Sequence, residues 1–387
     1  MTSSRRDFLT TGLRAGIAAS LVGARGVAAA GSHSRPLLSA PPARALRILI
    51  LGGTGVTGPH LVAEAVGRGH QVTIFTRGRS QPSVNQEVFR DVEHLIGDRA
   101  DNLDALRGRT WDVAIDNSGQ QVEWTSASAE LLRDHVQTYV YTSSTGVYYP
   151  YLGYDIHEDT ELLREIPAHA SEEERFVYGY GVMKANSEAE ARRVFGEERA
   201  LILRPTYIMG PGDTSDRFTY WPVRLARGGR VVVPGGPEDP VQFIDNRDLA
   251  QFALHLLEVG TIGTFNIAGP ASRMGMHAFV HGVHAAFNSP VDWVYIDDPE
   301  FLREQEILYL IPWILPYGNN WGSPRVDNAR AIAAGLTFRP LAESVRDLYA
   351  WWSESDSISA ERRTRMMEET LMGREAEVVA AWRGRRE

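Results

Sequence analysis

Cysteine is absent from this 387-residue chain, and lysine occurs once, at Lys184, against thirty-nine arginines. The first absence removes any disulfide framework and leaves nothing to mis-oxidise outside the cytoplasm. The second singles out Lys184. Where a plain positive charge suffices the chain uses Arg, so a lone Lys points to chemistry that a guanidinium cannot do. Arg does not deprotonate, and its planar fork differs in shape from a compact ammonium. Long apolar runs are missing too: the stretch from Gly16 to Val22 is too short to span a bilayer. No repeat of solenoid length is present. With 43% hydrophobic and 23% charged residues, the composition excludes disordered and fibrous classes and fits one large soluble domain, or a domain with a smaller lobe.

The N-terminus carries its own signal. Ser4-Arg5-Arg6-Asp7-Phe8-Leu9 is a twin-arginine signature, and Ala28-Ala29-Ala30 supplies the small residues a signal peptidase needs. Residues 1–30 are expected to engage the twin-arginine export machinery and to be cleaved after Ala30. The mature protein would then be periplasmic or extracellular and free of the membrane. That route moves folded proteins, often with a cofactor already bound. Arg5, Arg6, Arg14 and Arg25 against Asp7 give this segment a net +3, so its removal takes the formal charge from −9 to −12. Such an acidic balance argues against nucleic acid or anionic membrane as partners.

Residues 31–45, rich in Pro, Ser and Ala, read as a linker. Arg47 to Leu51 is a short apolar run ending in a glycine cluster, as in a buried parallel strand. A helix is expected from Pro59 to Gly67, strands at Gln71 to Thr76, Val92 to Ile96 and Trp111 to Ile115, a helix from Val122 to Asp134, and a strand at Thr138 to Thr142. A helix around Lys184 to Phe195 and a strand at Ala200 to Leu203 continue the alternation. The pattern predicts an α/β class: a doubly wound parallel Rossmann-type sheet over 46–205, with helices on both faces. After Pro205 the density of Gly, Pro and aromatics rises, and 206–355 read as a smaller mixed substrate lobe. Within it Val241 to Ile244 and Phe265 to Ile267 return as strands, and Asn328 to Ala334 and Leu341 to Trp352 are helical. Residues 356–387 are expected to carry one long, exposed, charged helix, Glu361 to Arg383.

Gly52-Gly53-Thr54-Gly55-Val56-Thr57-Gly58 lies between the first strand and its helix. Gly52, Gly55 and Gly58 have the spacing of a dinucleotide loop: the first permits the tight turn, the second lets backbone approach a pyrophosphate, and the third lets helix and strand pack. The helix start offers free N–H groups to the phosphates. Gly52, Thr54, Gly55, Val56 and Gly58 are therefore the expected cofactor contacts. The second strand ends in Phe75-Thr76-Arg77-Gly78-Arg79, with no acid to take a ribose 2′-hydroxyl. Arg77 and Arg79 are placed to pair with a 2′-phosphate, favouring NADP over NAD; the alternative is two solvated surface arginines. Asp98, after the third strand, is either an adenine contact or a loop acid.

Tyr180 lies four residues before Lys184, and on a helix such residues share a face. Its rival Tyr178 has Val182 at that spacing. Taken together, these features resemble the short-chain dehydrogenase/reductase superfamily, and within it the extended NAD-dependent epimerase/dehydratase family, from about Arg47 to Trp352. The likeness rests on the glycine loop, on Tyr-x-x-x-Lys and on Tyr141-Thr142-Ser143-Ser144-Thr145-Gly146-Val147-Tyr148. Leu203-Arg204-Pro205, Gly210-Pro211-Gly212 and Gln242 to Ala250 add to it, although Asp245 stands where a histidine is common. Asn117-Ser118-Gly119 is similar to the family's run after the fourth strand.

The resemblance implies roles. Tyr180 would exchange a proton with a substrate hydroxyl or carbonyl. Lys184 would favour the phenolate and hold the nicotinamide ribose, and Ser144, with Ser143 as a rival, would donate a hydrogen bond to the substrate oxygen. Asn117, Ser118, Gly119 and Pro205 would line the cofactor, and Thr145 and Tyr148 the substrate. In the lobe, Arg217, Phe218, Tyr220 and Trp221 either line that pocket or form lobe core. Family members often dimerise through a helix pair, so a homodimer is the default expectation.

Two other groupings carry less. His277, His281 and His284 share a helical face at metal-ligand spacing but are expected to face water, with no metal. Asp245 and Asp248 read as a helix cap and a first-turn acid. Three functions remain open: a redox-neutral epimerase, isomerase or dehydratase of a sugar-like small molecule; a net NADP-dependent reductase or dehydrogenase; and a non-catalytic nucleotide-binding module. Export favours the first, because a cofactor regenerated in every cycle needs no external pool.

Overall fold

The computed structural model describes residues 44–150, 153, 154 and 156–387. The expected export signal and most of the linker lie outside the described residues. From Arg44 onward, β-branched and leucine-rich runs form central strands buried on both faces, and a more exposed strand closes one edge. Six of them, β1 (Arg47–Leu51), β2 (Gln71–Thr76), β3 (Glu93–Ile96), β4 (Val113–Asp116), β5 (Thr138–Thr142) and β6 (Ala200–Pro205), follow the expected alternation. In the lobe come β7 (Ile208–Met209), β8 (Gly229–Pro234), β9 (Ile244–Asp245), β10 (Gly263–Ile267) and β11 (Val291–Ile296). The main sheet is parallel throughout, in the order β3-β2-β1-β4-β5-β6-β10. Its order turns back at β1, beside β4, which opens a crevice at the carboxyl ends of the strands.

Period-two alternation divides the core between the two faces. Ile48 and Ile50 pack with Leu61 and Val62 of α1 (Gly58–Gly67). Leu49 and Leu51 point the other way, to Ala129 and Leu132 of α2 (Val122–Leu132) and Phe195 of α3 (Glu172–Phe195). The third helical region, expected from Lys184, starts twelve residues earlier. Ser171 and Glu174 form a reciprocal capping box there, so that Tyr180 and Lys184 both sit well inside the helix.

The lobe has a separate core. Phe218, Trp221 and Val231 to Val233 pack with Phe279 and Trp313. It includes α4 (Tyr220–Arg227), α6 (Met276–His284), α7 (Pro299–Glu304) and α9 (Leu341–Glu354), while α5 (Asn246–Val259) returns to the sheet against α1 and α8 (Ala329–Ala333) packs beside β10. The strand expected over Val241 to Ile244 is confined to β9, which pairs with β7 outside the main sheet. Asp245 ends it by capping α5 through the Arg247 N–H, in agreement with its reading as a cap. His277, His281 and His284 do not simply face water. The His277 ring lies tilted against Tyr295 and the His281 ring meets Trp293 edge-on, both on β11, and His284 bonds the Ser289 carbonyl.

The C-terminus departs from expectation. Instead of one exposed helix, α10 (Ala360–Glu368) and α11 (Leu371–Arg386) are separated at Thr370, whose side chain caps the second. Met366, Leu371, Val378 and Val379 are buried in the lobe core. Charged residues on the outer face conceal that stripe in the sequence. Among them Glu375 points inward and accepts from Arg224 Nε (2.7 Å) and the Val232 N–H (2.7 Å), and burial pushes its carboxyl above the usual value. Arg224→Met leaves that carboxylate buried and unpaired. We expect a loss of about 3–5 kcal/mol in denaturant unfolding, largely recovered in the Arg224→Met/Glu375→Met double variant.

Candidate active site

Three glycines shape the crevice differently. Gly52 has φ +91°, and a Cβ there would lie 2.5 Å from Ser118 Cβ. A Cβ on Gly58 would lie 2.4 Å from the Gly53 backbone. A Cβ on Gly55 would meet nothing within 4 Å. Turn and packing thus account for the outer two, whereas the middle one borders open space. The α1 N-terminus has no side-chain cap and no acid in its first turn. That combination fits a dinucleotide pyrophosphate. The loop after β2 lies alongside, joined by Thr54 Oγ1 to Ser80 Oγ at 3.0 Å, and carries Arg77 and Arg79 exposed and without an ion pair among the described residues. Asp98 is a turn acid whose Oδ1 accepts the Ala100 N–H.

The run after β4 forms the opposite wall. The Asn117 N–H donates to the Leu51 carbonyl, and Ser118 packs on Gly52. Beneath them a buried Arg99–Asp116 pair (2.7 and 2.8 Å) also binds Ser118 Oγ, Ser128 Oγ and Tyr139. Burial alone would raise the Asp116 carboxyl; Arg99 outweighs it and holds the group below the usual range.

Tyr180, Lys184 and Glu188 occupy successive turns on one face of α3. Lys184 Nζ is buried and donates to the Thr142 carbonyl (3.0 Å) and the Gly119 carbonyl (3.2 Å), 5.0 Å from the centre of the Tyr141 ring. Burial would depress its ammonium, but Tyr141, Tyr180 and Asp116 prevail and hold it above the ordinary Lys value. Glu188 accepts from Ser143 Oγ (2.6 Å) and, through both oxygens, from Arg204 (2.9 and 2.6 Å). Both serines border the cavity; the Ser143 hydroxyl is engaged by Glu188, whereas the Ser144 Oγ accepts the Gly146 N–H at 3.0 Å.

Two further glycines, overlooked in the sequence, bring Ser144 and Tyr180 together. A Cβ on Gly181 would lie 2.6 Å from the Gly146 carbonyl oxygen, and one on Gly146 would lie 2.9 Å from Tyr180 Cε1 and 3.2 Å from Ser144 Oγ. Tyr180 remains 41% exposed, so its phenol is accessible. It shares a cavity of about 390 Å³ with Val56, Ser144, Thr145, Pro205 and Arg217. Phe218, Tyr220 and Trp221 instead join the lobe core. Tyr148 does not line the substrate space. It is buried, donates to Asn266 Oδ1 (2.7 Å) and accepts from Arg204 Nη1 (2.6 Å), and burial pushes its phenol up to about 12. Those two distant partners draw that ring inward, away from the cavity.

Residues 48–268 match the model of the NAD dependent epimerase/dehydratase family. The chain belongs to this family of enzymes. It is 31% identical over 237 residues to the chloroplast stem-loop binding protein of 41 kDa b from Arabidopsis thaliana, a match spanning 58% of each chain. Epimerase family protein SDR39U1 of Bos taurus is 25% identical over 326 residues, 79% of this chain and all of that one. Among solved structures, the Bordetella bronchiseptica enzyme WbmH in complex with NAD+ superposes with a TM-score of 0.57 at 16% identity, over 80% of this chain and 99% of that one. A UDP-glucuronic acid 4-epimerase from Bacillus cereus in complex with NAD gives 0.56 at 15%, over 81% and 99%. At these identities the likeness to solved structures is one of fold.

Among family members, then, the glycine geometry makes a separable forecast. Gly55→Ala should keep its melting temperature yet bind nicotinamide dinucleotide at least about tenfold more weakly, because its methyl enters the phosphate space. Gly58→Ala should lose affinity and also about 1–3 kcal/mol of stability. Calorimetric titration beside thermal unfolding reads both.

Proposed function

We propose that this family member is a redox-neutral epimerase or dehydratase of a sugar-like, hydroxyl-bearing small molecule, using tightly held NADP. The observation that carries the reading is the single cavity in which Ser144 and Tyr180 face the glycine-loop residue Val56, with Lys184 directly beneath. When bound, the nicotinamide supplies the hydride acceptor and donor. Gly55, Val56 and the α1 N-terminus would hold its pyrophosphate, and Lys184 its ribose.

The chain's own groups handle the proton. Tyr180 Oη takes it from, or returns it to, the substrate hydroxyl. Ser144 Oγ donates to the same oxygen as charge develops there. Lys184, held as a cation by its neighbours, lies one helical turn beyond Tyr180 on the same face of α3. Arg217, without an ion pair among the described residues and 5.7 Å from the Tyr207 ring centre, gives the cavity a binding point for an anionic or polar substituent. The lobe closes over the site from the side of Tyr309 and Ile314.

Export through residues 1–30 is part of the proposal. A cofactor folded in before export and restored in each cycle suits a compartment without a nucleotide pool, and a free sugar, glycoside or similar polyol suits it better than a nucleotide sugar. A net reductase would need a second substrate to reset the cofactor. The acidic charge of the chain argues against a stem-loop-binding role like that named for the chloroplast relative.

Tyr180→Phe should lower turnover by about 10²–10⁴-fold while leaving dinucleotide affinity within about twofold. Full activity in that variant would remove the proposed mechanism. Arg77→Ala/Arg79→Ala should weaken NADP binding by at least about tenfold and leave NAD binding unchanged. Equal effects on both nucleotides would rule out a 2′-phosphate role.

A further inference from the structure

We propose that the C-terminal helices, which lie beyond the family-matched segment, form a brace that sets the substrate-facing loop 213–217, with Arg362 of α10 as its positioning residue. The link to substrate rests on the reading of Arg217 given above; the brace itself does not. The Arg362 guanidinium lies 5.6 and 5.1 Å from the ring centres of Trp351 and Trp352 on α9. From there it grips Asp216 through both carboxylate oxygens, Nε to Oδ2 at 2.8 Å and Nη2 to Oδ1, and donates to the Asp213 carbonyl at 2.7 Å. This use of a planar fork stacked on indoles is one that Lys cannot reproduce.

The gripped loop is an unusual one. Asp216 has φ +58°, a left-handed conformation that a non-glycine residue keeps only when its surroundings impose it. Asp213 is buried, and its Oδ1 accepts the Ser215 N–H (2.8 Å) and Oγ (2.7 Å). The Asp216 carbonyl accepts the Tyr220 N–H at 3.2 Å. Arg217 is thus held between Asp216, which Arg362 grips, and Phe218, which is fully buried in the lobe core. Asp213, Thr214, Ser215 and Arg217 line the cavity, and Arg362 does not. Its influence on the site passes through Asp216.

Amide hydrogen exchange on the full, NADP-saturated chain tests the brace without any knowledge of the substrate. Arg362→Ala should accelerate exchange over 213–220 by about tenfold or more, leaving β5 and α3 unchanged. Arg362→Lys should fail to restore it. Asp216→Asn should act in the same direction, and the double variant should add nothing further. Unchanged exchange, or acceleration spread evenly over the chain, would overturn the brace. Calorimetric titration of the same proteins with inorganic pyrophosphate, a probe for Arg217, supplies the functional readout. Affinity should fall about tenfold in both Arg362→Ala and Arg217→Ala, with NADP affinity unchanged. Retained pyrophosphate affinity in Arg362→Ala, with loss in Arg217→Ala, would refute the positioning role. If the unaltered protein takes no pyrophosphate, the anion-site reading of Arg217 fails, and the exchange result alone decides the brace.

Discussion

Two opposite charges, Lys184 and Glu188, are buried one helical turn apart against the carboxyl edge of the sheet, and their pairing determines where α3 lies. Neither tolerates being left without partners in that environment. Lys184 finds the carbonyls of Gly119 and Thr142, and Glu188 finds Arg204 and Ser143. A slip or rotation of the helix would strand both. The register of α3, and with it the position of Tyr180, is therefore held by terms far larger than the contacts of the phenol itself. The Tyr180 side chain is left exposed at the cavity while its backbone is not free to move.

Close backbone approach completes the arrangement. Gly146 and Gly181 let the turn that carries Ser144 press against the helix that carries Tyr180. Gly52 does the same between the phosphate loop and Ser118, which the buried Arg99–Asp116 pair anchors from below. The cavity walls are thus set by close contacts made on bare glycine backbone, and Ser144, Tyr180 and Arg217 are among the side chains that border the space between them. The lobe closes the remaining side with Arg217 and aromatic residues.

Much of this was legible in the sequence because it obeys local rules. Strand runs such as Arg47 to Leu51 and Gln71 to Thr76, and the glycine spacing that follows the first, need no knowledge of distant residues. The lone lysine was informative because every other cation in the chain is Arg. What escaped depends on partners far along the chain. Arg224 and Glu375 are 151 residues apart, and without that pairing the C-terminal segment looks like a charged, exposed helix. The inward turn of Tyr148 follows from Asn266 and Arg204, not from its neighbours. Glu188 carried a usable signal, one turn beyond Lys184 on the same helical face. The early start of α3 had one too, since Ser171 and Glu174 have the spacing of a capping box.

The most direct test of the central claim is a crystal structure of the protein grown with NADP. The account predicts the pyrophosphate on the Gly55 and Val56 amides and the nicotinamide ribose at Lys184, with α3 unmoved and Tyr180 and Ser144 facing the same space. A dinucleotide bound elsewhere, or an α3 that must shift register to admit it, would contradict it.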